Sequence, residues 1–197
     1  MSQLKHLLYS DLARQFELEG RPHLRPNIFR VLVRLPHYRF LPNVLYRLSR
    51  AAFLAGVPLL PHVFTYLNIV LFGLEITPRC DIGPGVFFPH PTGTVIGASR
   101  VGRNVTFVQG VMVGAVTADT KFDPALRPVI GDDVVLSAGC KVLGGIEIGN
   151  GATVGANSLV LRSVPPGATV LGVPAKVIFR NAAGDAEAER NQTTPLA

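Results

Sequence analysis

A chain of 197 residues, 48% hydrophobic and 16% charged, has room for one ordinary domain and a small appendage, with a core that needs no disulfide or metal staple. That balance excludes the disordered class, and 20 Gly with 16 Pro show no collagen period. The net charge of +6 lies wholly in residues 1–70, where nine Lys and Arg face only Asp11, Glu17 and Glu19, which argues against a basic nucleic-acid groove in the rest of the chain.

In chain order, the start MSQLKHLLYSDLARQFELEG carries acidic residues where a secretory signal needs an apolar core. Residues 1–72 read as a helical, basic region, whose charge suits either an anionic partner such as a lipid surface or a plain solvated arginine face. Within it AAFLAGVPLLPHVFTYLNIVLFGL (residues 51–74) has no Asp, Glu, Lys or Arg and reaches the roughly 20 residues that a bilayer crossing requires. Pro58 and Pro61 would break a buried helix near its middle. Two short helices, packed on a neighbour or lying on a membrane face, are favoured over a span. Residues 21–72 are therefore the expected place of any peripheral membrane contact. The two cysteines, Cys80 and Cys140, cannot build a disulfide framework or a four-ligand zinc site, and a pair of reduced thiols points to the cytoplasm.

After Phe72 the periodicity changes. From Ile130 an aliphatic residue returns at every sixth position, through Leu136, Val142, Ile148, Val154 and Val160. Two positions before each next member stand Val134, Cys140, Ile146, Ala152, Ser158 and Val164, and the same spacing appears in Ile76, Ile82 and Phe88 and in Val101, Phe107 and Val113. A period of six with an inward aliphatic predicts a parallel β-helix, three hexads to a triangular coil, over residues 73–180. An amphipathic helix would repeat at 3.6 and a plain sheet at 2. The count slips by one residue beside Pro89-His90-Pro91-Thr92-Gly93 and gains eleven between Val113 and Ile130, so a loop over residues 117–128 leaves the coil. Residues 181–197, small, polar and aperiodic, read as a disordered tail.

Of five histidines only His90 lies in the coil region, beside the slip, between two prolines and near Gly93, where a ligand can approach the backbone. Histidine is the commonest general base, although a lone histidine is as often structural. Glu75, fifteen residues earlier and close to one coil away, is placed to hold the other imidazole nitrogen, or is an exposed charge at a strand entry. No metal-ligand spacing is present in the sequence.

The segments LEITPRCDIGPGVFFPHPTGTVIG, VTFVQGVMVG and RPVIGDDVVLSAGCKVLGGIEIGNGATVGANSLVLRSVPPGATVLGVPAKVI resemble the hexapeptide-repeat acyltransferases over residues 72–178, most closely the serine O-acetyltransferase branch and its relatives in polysaccharide gene clusters. The resemblance implies a mainly β fold, a left-handed parallel β-helix behind a small α-helical region. It also implies acetyl-CoA as donor, no metal, and a homotrimer or dimer of trimers with active sites between subunits. His90 matches the family's catalytic histidine and Glu75 the aspartate that orients it. Gly114, Ala115, Ala138 and Gly139 match the groove for the pantetheine arm. Lys176 and Arg180, past the last coil, are the expected partners of the CoA phosphates, unless they are simply solvated.

Two departures bear on the acceptor. Where serine acetyltransferases carry an aspartate before the catalytic histidine and an Arg-His pair before the loop's final proline, this sequence has Pro89, Leu126 and Arg127. Proline cannot pair with an ammonium group, and arginine stays protonated at neutral pH. The sequence therefore leads to the expectation of an O-acetyltransferase acting on a sugar hydroxyl of a cell-surface polysaccharide or its precursor, with Pro89 and Arg127 at the acceptor. Serine acetylation for cysteine biosynthesis and a non-catalytic scaffold are the alternatives.

Overall fold

The computed structural model describes residues 3–117, 119 and 121–179. Four helices come first, α1 (Gln3–Leu18), α2 (Ile28–Arg34), α3 (Leu41–Leu54) and α4 (Leu60–Phe72). The uncharged run is divided between the end of α3 and α4, with Pro58 in the break and Pro61 in the first turn of α4, where a missing N–H costs nothing. No helix among the described residues is long and apolar enough to cross a membrane.

Fourteen short strands follow: β1 (Leu74–Ile76), β2 (Asp81–Ile82), β3 (Thr94–Ile96), β4 (Arg100–Val101), β5 (Thr106–Phe107), β6 (Met112–Gly114), β7 (Val129–Ile130), β8 (Val135–Leu136), β9 (Lys141–Leu143), β10 (Glu147–Ile148), β11 (Thr153–Val154), β12 (Leu159–Val160), β13 (Thr169–Gly172) and β14 (Ala175–Phe179). They stack into three sheets, β1-β3-β6-β9-β12 on the first face, β2-β4-β7-β10 on the second, and β5-β8-β11-β13-β14 on the third. Every pairing is parallel except the final β13–β14 hairpin. The hexad aliphatics Ile76, Ile82, Phe88, Val101, Phe107, Val113, Ile130, Leu136, Val142, Ile148, Val154 and Val160 are all buried in one core. Each contributes about 1.5–3 kcal/mol of apolar transfer.

The register locates the slip in more detail than the sequence does. Ile76 pairs with Ile96, two residues beyond three hexads, and Ile96 with Val113, one residue short. The net single residue is thus a two-residue insertion in the corner that holds His90, followed by a one-residue deletion after Ile96. Between Val101 and Ile130 the chain is eleven residues over one coil, and it leaves the stack between β6 and β7.

Helix α3 covers the open edge of the first coil. Asn43 donates to the Val86 carbonyl at 2.8 Å, Tyr46 to that of Cys80 at 2.8 Å, and the Ile82 N–H donates to the Tyr46 hydroxyl at 3.2 Å. Arg47 donates to Asp11 through Nε and Nη2, both at 3.0 Å, and to the Gly83 carbonyl at 2.6 Å. Asp11 in turn accepts from the N–H groups of Gly85 at 2.8 Å and Val86 at 3.2 Å. Both side chains are buried; burial alone would lower the Arg47 pKa, but the Asp11 carboxylate outweighs it and raises it. Asp11→Ala leaves this guanidinium buried without its partner, so chemical denaturation should report a loss of about 3–5 kcal/mol. A loss below about 1 kcal/mol would show that the pair does not hold the two parts together.

Candidate active site

The segment Phe88–Gly93 turns the chain from the third face to the first. Pro91 is buried, and His90 between its two prolines is exposed and makes no hydrogen bond or ion pair among the described residues. The corner is pinned from both sides, the Gly93 N–H donating to the Gly73 carbonyl at 2.9 Å and the Gly110 N–H to the Thr92 carbonyl at 3.1 Å. Gly93 has φ 73°, and a Cβ there would stand 3.7 Å from the Gly110 Cα, itself at φ 70°. The positive φ of the corner is what calls for glycine at position 93.

Glu75 lies at the centre of β1, exposed, in register with Val95. The corner that holds His90 leads into β3, which pairs with the β1 strand of Glu75, and no hydrogen bond joins the two side chains. Outward positions on the first face continue from Glu75 through Val95 and Met112 to Lys141.

The expected groove residues fall on two borders of this face. Ala138 and Gly139 stand before β9, on the same border as His90; the Gly139 N–H donates to the Gln109 carbonyl at 2.8 Å, whereas the Ala138 N–H has no partner among the described residues. Gly114 and Ala115 stand at the far end of β6, with nothing within 4 Å of where a Gly114 Cβ would be. Three strand residues separate the borders, about 10 Å. Lys176 is exposed on β14 opposite Leu171; Arg180 and the tail 181–197 lie outside the described residues.

Arg127 is occupied by the loop that leaves the coil. It donates to Asp119 Oδ2 through Nε at 3.1 Å and Nη2 at 2.9 Å and to the Gly97 carbonyl at 2.9 Å, and its guanidinium lies 4.1 Å from the Phe122 ring centroid. Burial would raise the Asp119 pKa, but bonds from the Asp123 N–H and from Arg127 hold it below the usual carboxylate range. Arg79 donates to the Lys121 carbonyl at 2.7 Å from the other side.

Under this loop is a cleft of about 440 Å³ lined by Glu75, Gly114, Ala115 and Arg127, and also by His62, Thr77, Arg79 and Phe122, which the sequence reading missed. His62 is the one histidine in the uncharged run, a signal present in the sequence; Arg79 gives none, because its place depends on where the loop returns. Among the described residues no group of three or more His, Cys, Asp or Glu is placed to hold a metal ion.

Residues 127–162 match the bacterial transferase hexapeptide (six repeats) family. The serine acetyltransferase of Synechococcus elongatus is 36% identical over 177 residues, 88% of this chain and 70% of that protein. The chain belongs to the serine acetyltransferase family. A solved serine acetyltransferase in complex with CoA covers 89% of the chain with a TM-score of 0.74 and 27% identity, the match spanning 69% of that structure. The Neisseria gonorrhoeae serine acetyltransferase in complex with serine covers 88% with a TM-score of 0.74 and 29% identity, spanning 68% of that structure. Across the curated relatives compared, the chain spans from 41% to 70% of their length.

Family membership makes the chain an acyltransferase with the left-handed parallel β-helix that the resemblance implied, and removes the scaffold alternative. It also overturns the expected sugar acceptor, since these relatives are serine acetyltransferases. Departures at two positions, Pro89 and Arg127, count for less than similarity that runs through 88% of the chain.

Cys80 and Cys140 are both buried in the coil, which pushes each thiol up to about 12 and leaves little reactive thiolate at neutral pH. At pH 8 such a thiol is ionised in roughly one molecule in 10,000. Native protein should leave both unlabelled by a disulfide reagent that titrates two thiols after denaturation; rapid labelling of the native state would refute their burial.

Proposed function

We propose that the chain transfers an acetyl group from acetyl-CoA to the hydroxyl of serine. The observation that carries this reading is the 36% identity to a serine acetyltransferase along 88% of the chain. His90 takes the proton of the serine hydroxyl as its oxygen attacks the thioester carbonyl, and Glu75 stabilises the imidazolium that forms. The Ala138 N–H, without a partner among the described residues, donates to the oxyanion of the tetrahedral intermediate. His90 then returns the proton to the departing thiolate, which gives O-acetylserine and CoA. Gly114 and Ala115 line the way for the pantetheine arm, and Lys176, exposed at the end of the coil, faces the CoA phosphates.

The working unit we infer is a homotrimer. His90 and Ala138 occupy one border of the first face while Gly114, Ala115 and the Arg127 loop occupy the other, so a groove using both sets closes only where two copies stand side by side. Helix α4 supports it, with Val63, Tyr66, Val70 and Leu71 exposed and no Lys or Arg in its thirteen residues.

Thiol release from acetyl-CoA should saturate with L-serine and stay at background with sugar acceptors. His90→Ala should lower kcat about 10²–10⁴-fold without changing the melting temperature. Absence of serine-dependent release would overturn the acceptor, and near-normal turnover by His90→Ala would remove His90 from the mechanism. Sedimentation equilibrium should return three times the chain mass of 21.1 kDa; a monomer with full activity would refute the shared site.

A further inference from the structure

Helix α2 packs on the helical core through one apolar residue. Val31 is 6% exposed, while Ile28, Phe29, Leu32 and Val33 are 63%, 70%, 56% and 62% exposed and make one outward face. Burial of Val31 and capping of the Arg30 N–H by Asn27 at 2.9 Å fix which face turns to solvent. Four large apolar side chains together on a seven-residue helix have no explanation inside the chain.

The charges around that face distinguish its partner. Each carboxylate of the first seventy residues already has an arginine: Asp11 holds Arg47, Glu17 holds Arg14 and Glu19 holds Arg34. Arg21, Arg25 and Arg30 enter no ion pair among the described residues, although Arg30 Nη1 donates to the Arg25 carbonyl. An apolar ridge on a segment whose Arg30 and preceding Arg21 and Arg25 are uncompensated is repelled by a second copy of itself and attracted by a negative, greasy surface. Helix α4 makes the contrast: it is equally apolar outside but carries no cation, as suits a contact between copies.

We propose that the outward face of α2 is a docking site for an anionic lipid surface, with Phe29 and Val33 entering the acyl boundary and Arg21, Arg25 and Arg30 at the headgroup phosphates. Long arginine side chains extend sideways to the phosphates while the ridge beneath them leaves water. The attachment is peripheral and governed by salt, because each cation near a charged bilayer changes partitioning about fivefold and is screened within a Debye length. It is independent of the acceptor and of the catalytic reading.

The test is co-sedimentation of the full chain with phosphatidylcholine vesicles with and without phosphatidylserine, at low and high salt. The protein should pellet with phosphatidylserine vesicles at low salt, be released by high salt, and stay in solution with phosphatidylcholine alone. Arg25→Glu should weaken pelleting about tenfold or more, and Phe29→Ser with Val33→Ser should abolish it. Both variants alter exposed side chains, so melting temperature and thiol release should stay as in the parent, and Arg100→Glu on the β-helix should pellet normally. Failure to pellet at low salt, equal pelleting with neutral vesicles, or unchanged pelleting of the α2 variants would each overturn the proposal. So would loss of subunit association in Phe29→Ser/Val33→Ser, which would assign the face to a second copy.

Discussion

The bidentate pair between Asp11 and Arg47 determines where everything else in the chain can stand. A stacked coil ends in a strand edge whose carbonyls and N–H groups have no next coil to meet, and burying them unpaired costs about 1–3 kcal/mol each. Arg47 donates to the Gly83 carbonyl while Asp11 accepts from Gly85 and Val86, so one ion pair satisfies both polarities of the first coil's backbone. Asn43 and Tyr46, from the same helix, treat the carbonyls of Val86 and Cys80 likewise. The isolated pair would be a poor stabiliser, because desolvation offsets most of its attraction; fixed to the backbone on both sides, it acts as a locator. With α3 held there, α4 runs back along β1, and His62 reaches the cleft that also contains Glu75.

The β-helix interior leaves little freedom for chemistry. Every sixth residue must be aliphatic and the corners must accept close stacking, so reactive groups collect where the repeat is interrupted. There are two such interruptions, and they differ physically. The two-residue insertion before β3 pushes His90 outward while Pro91 stays buried, an exposed base on a rigid corner. The eleven-residue excursion is tied down by Arg127 on the Gly97 carbonyl and by Arg79 on the Lys121 carbonyl, and makes a wall from Phe122 held between the same two arginines. One interruption carries an exposed imidazole and the other supplies enclosure, on opposite borders of one face.

The coil was legible because its signal is one-dimensional: Ile130 to Val160 fixes strands, inward faces and stacking from spacing alone, and those residues are the buried ones. Division of the uncharged run by Pro58 and Pro61 was legible for a similarly local reason. What escaped was set by contacts far apart in the chain. Asp11 and Arg47 look like two more charges in a basic region, and nothing in their spacing says that both are buried beneath Gly85. The slip near His90 was visible as a net residue, yet its resolution into an insertion and a deletion needs the pairing of Ile96 with both neighbours. Arg79 and Phe122 meet only because the loop returns over β1.

The acceptor shows the same division between local and long-range information. Carrying a family's recognition residues over one position at a time treats Pro89 as a lost carboxylate and Arg127 as a lost histidine. In the folded chain Arg127 bonds Asp119 within its own loop and Gly97 just after β3, so its replacement alters how the loop is held as well as what lines the cleft. The cleft meanwhile takes ionisable groups from other segments of the chain, His62 from α4 and Arg79 from the turn after β1. A site enclosed by several elements can draw its ionisable groups from any of them, because a bound ligand responds to field and distance and not to chain position. Similarity through the whole chain records the shared enclosure, whereas a two-residue motif records only one way of furnishing it.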